Sequence, residues 1–211
     1  LSTIACIATG PSLSLEQIQS ARNKGFRLFG CNNVYRVAPD LELLYACNLN
    51  WWETYWAEVS KLPFEKWTTN AEAANTYRLN WIAERDGLGL CEESNVIHHG
   101  HGSGFSLVSM AHKKGASRIV LLGYDLHYST DYNGRARYPG STPRHSTLLL
   151  PTGEYPKELQ HWPSVAVKDG VHHHLVKLYD LVQQQGLVEL INCTPGSALE
   201  PVLGYVPIDA L

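Results

Sequence analysis

Apolar residues fall into short runs along the chain, separated by polar or glycine-rich turns, and their period switches repeatedly between strand-like and helical. Residues 3–8 form an apolar run with β-branched members, which predicts a buried strand. Ser14 then precedes Leu15, Ile18 and Ala21 at helical spacing. Gln17 is placed to close a capping box on Ser14, and Gly25 to end the helix. The alternation continues with strands predicted at 26–29, 41–47, 64–67, 95–97, 118–122 and 187–192. Helices are predicted from Trp51 onward and over 71–85, 105–114 and 171–185. The segment 123–170 holds no steady period and is rich in Tyr, Gly, Pro, Arg and His, so it reads as a long loop or lid at about 124–170.

The predicted strands are short and apolar throughout rather than alternating, the pattern of a parallel sheet covered on both faces. The expected fold class is α/β: a doubly wound, mostly parallel sheet with helices on both faces. The 211 residues suit a single domain over 1–211. In such sheets ligands bind beyond the carboxyl ends of the strands. Those ends carry residues 9–12, 31–33, 48–50, 98–104 and 123–128, all polar or glycine-rich.

Composition narrows the function classes. A hydrophobic fraction of 44% and a charged fraction of 18% fit a globular protein. No apolar run approaches the roughly 18–20 residues that span a bilayer, so no membrane span is expected. The net charge of −3 argues against nonspecific binding to duplex DNA. Cys6, Cys31, Cys47, Cys91 and Cys193 are odd in number, dispersed and never in a C-x-x-C pair. They read as reduced, mostly buried thiols. With an N-terminus that lacks a basic leader and reads as a strand, this predicts a cytoplasmic location.

The strand-end loops hold the candidate chemistry. Thr9, Gly10, Pro11 and Ser12 make a turn before a helix. Gly10 permits close backbone approach to a ligand, and the helix start favours a phosphate; the plainer reading is an ordinary strand–turn–helix. Asn32, Asn33 and Asn48 can read a base or ribose without charge, or can serve as turn residues. Gly102, Ser103 and Gly104 open a helix after three histidines at 98, 99 and 101, and suit backbone wrapped around a ligand better than a metal site. Asp125 follows a buried strand and faces the cleft as a ligand for a hydroxyl or Mg2+, or caps a turn. His172, His173 and His174 open the last helix, and one of them can act as a general base. Arg135, Arg137, Arg144 and Tyr128 lie in the long segment and can close over an anion. Trp51, Trp52 and Trp56 read as a stacking surface, core packing or a subunit contact, and a homo-oligomer is expected.

Residues 7–13 (IATGPSL), 29–33 (FGCNN), 102–104 (GSG) opening a helix, and 119–125 (IVLLGYD) resemble, in order, blocks of one superfamily. It comprises bacterial sialyltransferases of the Campylobacter lipooligosaccharide type, Maf flagellin glycosyltransferases and 6-hydroxymethyl-dihydropterin pyrophosphokinases. The blocks cover about residues 3–128, with a weaker echo at 193–199. The short chain also resembles phage-encoded members. The resemblance implies a Rossmann-like nucleotide-binding transferase domain. It assigns nucleotide or donor contacts to Thr9, Gly10, Ser12, Asn32, Asn48, Ser103, Gly104 and Tyr128, and a base near His172. The chain departs at Thr9, where the sialyltransferases carry asparagine, and at Gly102. The function expected is a glycosyltransferase using a CMP-sugar-like donor and a hydroxyl acceptor (glycan, protein or modified nucleoside), with no tightly bound cofactor and Mg2+ as a candidate ion. The alternatives are an ATP-dependent pyrophosphokinase acting on a hydroxymethyl compound, and a non-catalytic nucleotide binder.

Overall fold

A computed structural model describes residues 2–100, 102–126, 129–130, 136–137, 146–151, 171 and 173–211. Its strands are β1 (Thr3–Ile7), β2 (Arg27–Cys31), β3 (Leu43–Tyr45), β4 (Glu65–Thr68), β5 (Asn80–Trp81), β6 (Ala83–Arg85), β7 (Val96–His98), β8 (Arg118–Leu122), β9 (Ser129–Thr130), β10 (Ala136–Arg137) and β11 (Glu189–Asn192). Its α-helices are α1 (Leu15–Asn23), α2 (Leu49–Val59), α3 (Ala71–Tyr77), α4 (Ser103–Lys113), α5 (His173–Gln185) and α6 (Glu200–Leu203).

Seven strands form one sheet in the order β11-β8-β1-β2-β3-β4-β5, and every neighbouring pair is parallel. Successive side chains on a strand point to opposite faces, and here both faces are covered. Ile4, Cys6, Phe29 and Leu43 pack with Leu107 and Val108 of α4 and Leu178 and Val182 of α5. Ala5, Ile7, Leu28 and Leu44 pack on the other side with Ile18 and Ala21 of α1 and Trp52 and Tyr55 of α2. Two buried faces account for the unbroken apolar runs. Trp51 and Trp52 are 3% and 0% exposed, so this part of the tryptophan cluster is core.

The capping box forms as predicted: Ser14 Oγ accepts the Gln17 N–H at 3.2 Å, and Gln17 Oε1 accepts the Ser14 N–H at 3.0 Å. Gly25 follows the helix with φ +69°, the left-handed value that suits glycine there.

The predicted helix over 71–85 is corrected. α3 stops at Tyr77 because Arg78 turns left-handed at φ +55° and the Leu79 N–H closes back on Ala74 O at 3.0 Å. The chain then extends into β5, which pairs with β4, and β6, which pairs with β7 in a separate parallel ribbon. The other predicted elements of the sheet and its helices start and stop within two residues of their observed bounds, apart from the end of α2, for which the sequence carried no prediction. The 31–33 loop is the start of a 3-10 helix, Asn32–Arg36.

The long segment is not uniformly open. Within it β9 and β10 pair antiparallel. Residues 146–151 dock on the core: Leu149 and Leu150 are 1% and 5% exposed, and the Ser146 N–H donates to Thr9 O at 2.8 Å. Residues 127–128, 131–135, 138–145 and 152–170 lie outside the described residues. Among the described residues no helix is long and apolar enough to cross a membrane.

Candidate functional site

The chain leaves β1 toward β2 on one side and reaches β8 on the other, so the sheet has its topological switch point between β1 and β8. A crevice opens at the carboxyl ends of such a strand pair. Residues 9–12 follow β1 there and 123–125 follow β8. Gly10 N–H donates to Gly123 O at 3.0 Å. Gly10 has no room for a side chain: a Cβ would lie 1.9 Å from Asp125 Oδ2 and 2.4 Å from Gly123 O. Pro11 and Ser12 form the corner of a turn closed by the Leu13 N–H on Gly10 O at 3.1 Å, a position that suits proline.

Asp125 is buried, and both its carboxylate oxygens engage this turn. Oδ1 accepts the Ser12 N–H at 3.1 Å and Oδ2 accepts the Ser12 hydroxyl at 2.9 Å. Asp125 and the first loop, predicted as separate features, are therefore one hydrogen-bonded unit.

A second set of residues, not singled out from sequence, holds the end of β8. Thr194 Oγ1 accepts the Tyr124 N–H at 3.0 Å and donates to Leu121 O at 3.2 Å. Ser197 Oγ donates to Tyr124 O at 2.6 Å, and the Ala198 N–H to Asp125 O at 2.9 Å. Thr194 and Ser197 are buried. Tyr124 in turn donates its hydroxyl to Gly104 O at 3.0 Å, tying the switch point to the first turn of α4. Burial holds the Tyr124 hydroxyl well above its ordinary range, so it stays a neutral donor. The available signal was the resemblance at 193–199, which carried no role.

The three predicted amides diverge. Asn32 sits at φ +49° and is half-buried, at the mouth of β2. Asn33 is fully buried and turns inward, where its Oδ1 accepts the Trp51 Nε1–H at 3.0 Å. Asn48 is exposed at the N-cap of α2, yet its side chain makes no capping hydrogen bond. Asparagine is favoured at such positions for capping, and here the amide is not spent on it.

Gly102 caps α4 in extended conformation, and the Phe105 and Ser106 N–H groups turn back on its carbonyl at 3.1 and 3.3 Å. The first turn holds no acidic residue. An unneutralised helix start of this kind attracts an anion. Ser103 Oγ lies 3.4 Å from Cys47 Sγ at the end of β3, which brings Ser103 and Asn48 to one side of the cleft. A Cβ on Gly104 would stand 3.1 Å from the Tyr124 ring, so the helix start packs closely on that ring. Beneath the loops lie Cys6, Cys31 and Cys47. Burial pushes each thiol up, Cys31 to about 12, and the floor is therefore uncharged. All five cysteines are free.

In a parallel sheet the covering helices run antiparallel to the strands, so α5 starts at the cleft end. Its Tyr179 ring meets Phe105 and Tyr124 edge-on at 5.5 and 5.9 Å. His173 is exposed and His174 half-buried at its start. His172, His101 and Tyr128, all nominated from sequence, lie outside the described residues, as does the bulk of the arginine and tyrosine set. His98 turns away from the cleft, with Nδ1 at 3.2 Å from the carbonyls of Leu88 and Gly89. Among the described residues no group of three or more His, Cys, Asp or Glu is disposed to hold a metal ion.

The fold and the converging loops define a doubly wound α/β protein with a polar, glycine-bounded cleft at its switch point. No protein-family model matches the chain, and no curated protein does. Solved structures share its fold. The Campylobacter jejuni sialyltransferase CstII in complex with cytidine 5'-monophosphate matches with a TM-score of 0.57 at 15% identity, over 99% of this chain and 86% of that one. CstII with a trisaccharide acceptor and CMP matches at 0.54 and 14%, over 100% and 88%. The monofunctional α-2,3-sialyltransferase Cst-I of the same organism matches at 0.58 and 13%, over 99% and 82%.

Proposed function

We propose that the protein is a glycosyltransferase that moves a sugar from a CMP-sugar-type donor to a hydroxyl acceptor. The observation that supports the reading is that the 9–12 turn, Asn32, Asn48 and the start of α4 all lie at the carboxyl-end edge of one parallel sheet, on a fold shared with a sialyltransferase solved with CMP. The nucleoside lies against the 9–12 turn and the Asn32 loop. The donor phosphate faces the α4 start, with Tyr128 supplying a further hydroxyl. Asp125 acts as a positioning residue: it fixes Ser12 and through it the turn.

In the transfer step the acceptor oxygen bonds to the anomeric carbon as the bond from that carbon to the phosphate oxygen breaks. CMP leaves with the electron pair, and the acceptor proton passes to a base. His172 is the nominee, because the start of α5 stands at the cleft end. Helix-start N–H groups aimed at the departing phosphate stabilise charge where it develops. The pyrophosphokinase alternative needs a carboxylate for Mg2+, and Asp125, nominated for it, is engaged by Ser12.

The test is hydrolysis or transfer from CMP-, UDP- and GDP-sugars by the purified chain. CMP-sugar turnover that drops by about 10²–10⁴ in His172→Ala supports the reading. Turnover of no nucleotide sugar would sink it.

A further inference from the structure

Residues 146–151 form a strap that joins the β1 turn to the β2 loop. Ser146 starts a single turn of backbone: its carbonyl accepts the Leu149 and Leu150 N–H groups at 3.0 and 3.1 Å, and its hydroxyl accepts the Leu148 N–H at 3.3 Å. Leu149 and Leu150 are buried in the core on the side of α1 and α2. At one end of the strap the Ser146 N–H donates to Thr9 O at 2.8 Å. At the other, Arg36 Nη1 donates to Leu149 O at 2.9 Å. Arg36 is the last residue of the 3-10 helix that Asn32 opens.

Three contacts orient the Arg36 guanidinium, which no sequence motif marks. Its Nη2 lies 3.0 and 3.1 Å from the two carboxylate oxygens of Glu58 on α2, and its Nε lies 3.3 Å from Oε2. Tyr35 holds the same carboxylate, donating its hydroxyl to Oε2 at 2.6 Å. The guanidinium carbon stands 5.3 Å from the centre of the Tyr55 ring and 5.8 Å from that of Tyr35. A planar fork paired and stacked in this way keeps one orientation. That orientation aims Nη1 at the strap.

What the strap holds is a peptide plane. Thr9 O and Gly10 N–H belong to one peptide unit. The N–H donates to Gly123 O at 3.0 Å, and the carbonyl accepts from Ser146 at 2.8 Å. The unit is planar, so a hydrogen bond at each end fixes its tilt. The glycine on its carboxyl side would otherwise let the plane rotate at little cost. Asp125 fixes the next part of the turn through Ser12.

We infer that Arg36 is a positioning residue for the donor site: through the 146–151 strap it holds the Thr9–Gly10 peptide, and with it the wall against which the nucleoside lies. The identity of the ligand rests on the transferase reading; the clasp from Arg36 to Gly10 does not. Arg36 acts through the strap, so its loss weakens nucleotide binding.

The test uses the full chain and CMP. Calorimetry gives the CMP affinity, and hydrogen exchange of the Gly10 amide, followed by NMR without nucleotide, reports on the peptide itself. Arg36→Ala should raise the Kd for CMP about tenfold, the loss of one charge-assisted hydrogen bond passed on to the site, and speed Gly10 exchange by a similar factor. Arg36→Lys should recover part of both, because lysine keeps a donor for Leu149 O and loses the fork. Ser146→Pro removes the N–H that Thr9 O accepts and should match Arg36→Ala. The double variant should bind within about twofold of Ser146→Pro alone, since both changes act through one link. Val182→Ala, a buried truncation on the opposite face of the sheet, should lower the Tm and keep the wild-type CMP affinity. The inference is overturned if Arg36→Ala binds CMP as wild type does, if Gly10 exchange is unchanged, if the losses of the two single variants multiply, or if Val182→Ala weakens CMP binding as much as Arg36→Ala. Absence of CMP binding in the wild-type chain sinks the transferase reading. Faster Gly10 exchange in Arg36→Ala would then still support the clasp, and unchanged exchange would sink it as well.

Discussion

Replacing Asp125 by Asn separates a positioning role from a chemical one. The carboxylate accepts two hydrogen bonds from one residue, the Ser12 N–H at 3.1 Å and the Ser12 hydroxyl at 2.9 Å, at a site only 9% exposed. Hydrogen bonds to a charged acceptor contribute roughly 1.5–3 kcal/mol each, against about 1 kcal/mol for neutral ones. Asparagine retains one carbonyl oxygen for the Ser12 N–H, but presents N–H groups where the hydroxyl donated. The net cost is about 1–2 kcal/mol. For a chain of 211 residues that corresponds to a Tm lower by about 2–8 °C. Asp125→Ala removes both acceptors and should cost about twice as much, less whatever water supplies to the half-buried Ser12. Because the 9–12 turn is held by this carboxylate, both variants should also weaken CMP binding, by about tenfold for each 1.4 kcal/mol lost. Thermal melts with and without CMP measure both effects. Melting within about 1 °C of wild type in both variants, together with a collapse of kcat, would refute the reasoning and return Asp125 to the chemistry.

Further outcomes follow from the same geometry. Gly10→Ala should destabilise by about 1–3 kcal/mol or more, because its Cβ would overlap Asp125 Oδ2 and Gly123 O, whereas Gly102→Ala, with open space around its Cβ, should stay within about 0.5 kcal/mol; paired thermal melts check both. Thr194→Val keeps the shape but leaves the buried Tyr124 N–H without its acceptor. It should lower stability by about 1–3 kcal/mol in denaturant unfolding. Burial would raise Glu58, but hydrogen bonds from Tyr35 and Arg36 outweigh it and hold the carboxyl below its usual 4.5. A group held low in the folded state adds stability above its unfolded value and loses it as pH falls through the folded one. Glu58→Gln should therefore melt below wild type at pH 7, and the gap should narrow as pH drops below 4.5.

The fold was legible because its signals are local. Ser14 and Gln17 close their capping box three residues apart, and the apolar runs at 3–8 and 118–122 are central strands of the sheet. The 71–85 error is local too: Leu79 to Ala83 suits either period, and only the left-handed Arg78 and the pairing of β5 with β4 decide it. The site was legible as a set of loops and not as a set of contacts. Asp125 and Ser12 are 113 residues apart, so nothing in the sequence distinguishes a carboxylate that holds a turn from one that meets a substrate. Asn32 and Asn33 are adjacent and alike, yet one borders the cleft and the other caps a buried indole, a difference set by the 3-10 helix. Thr194 and Ser197 act on backbone groups of Leu121 and Tyr124, about 73 residues away, and carry no periodic mark.

Ligand-dependent melting tests most directly whether the switch-point cleft is a CMP site. A ligand that binds only the folded state raises stability by RT ln(1 + [L]/Kd), about 2.7 kcal/mol at one hundred times Kd. CMP should raise the Tm of the wild-type chain in proportion to log concentration once saturating, more than UMP, AMP or GMP, and the rise should shrink in Asp125→Asn. Equal, null shifts for all four nucleotides at millimolar concentration would contradict the account.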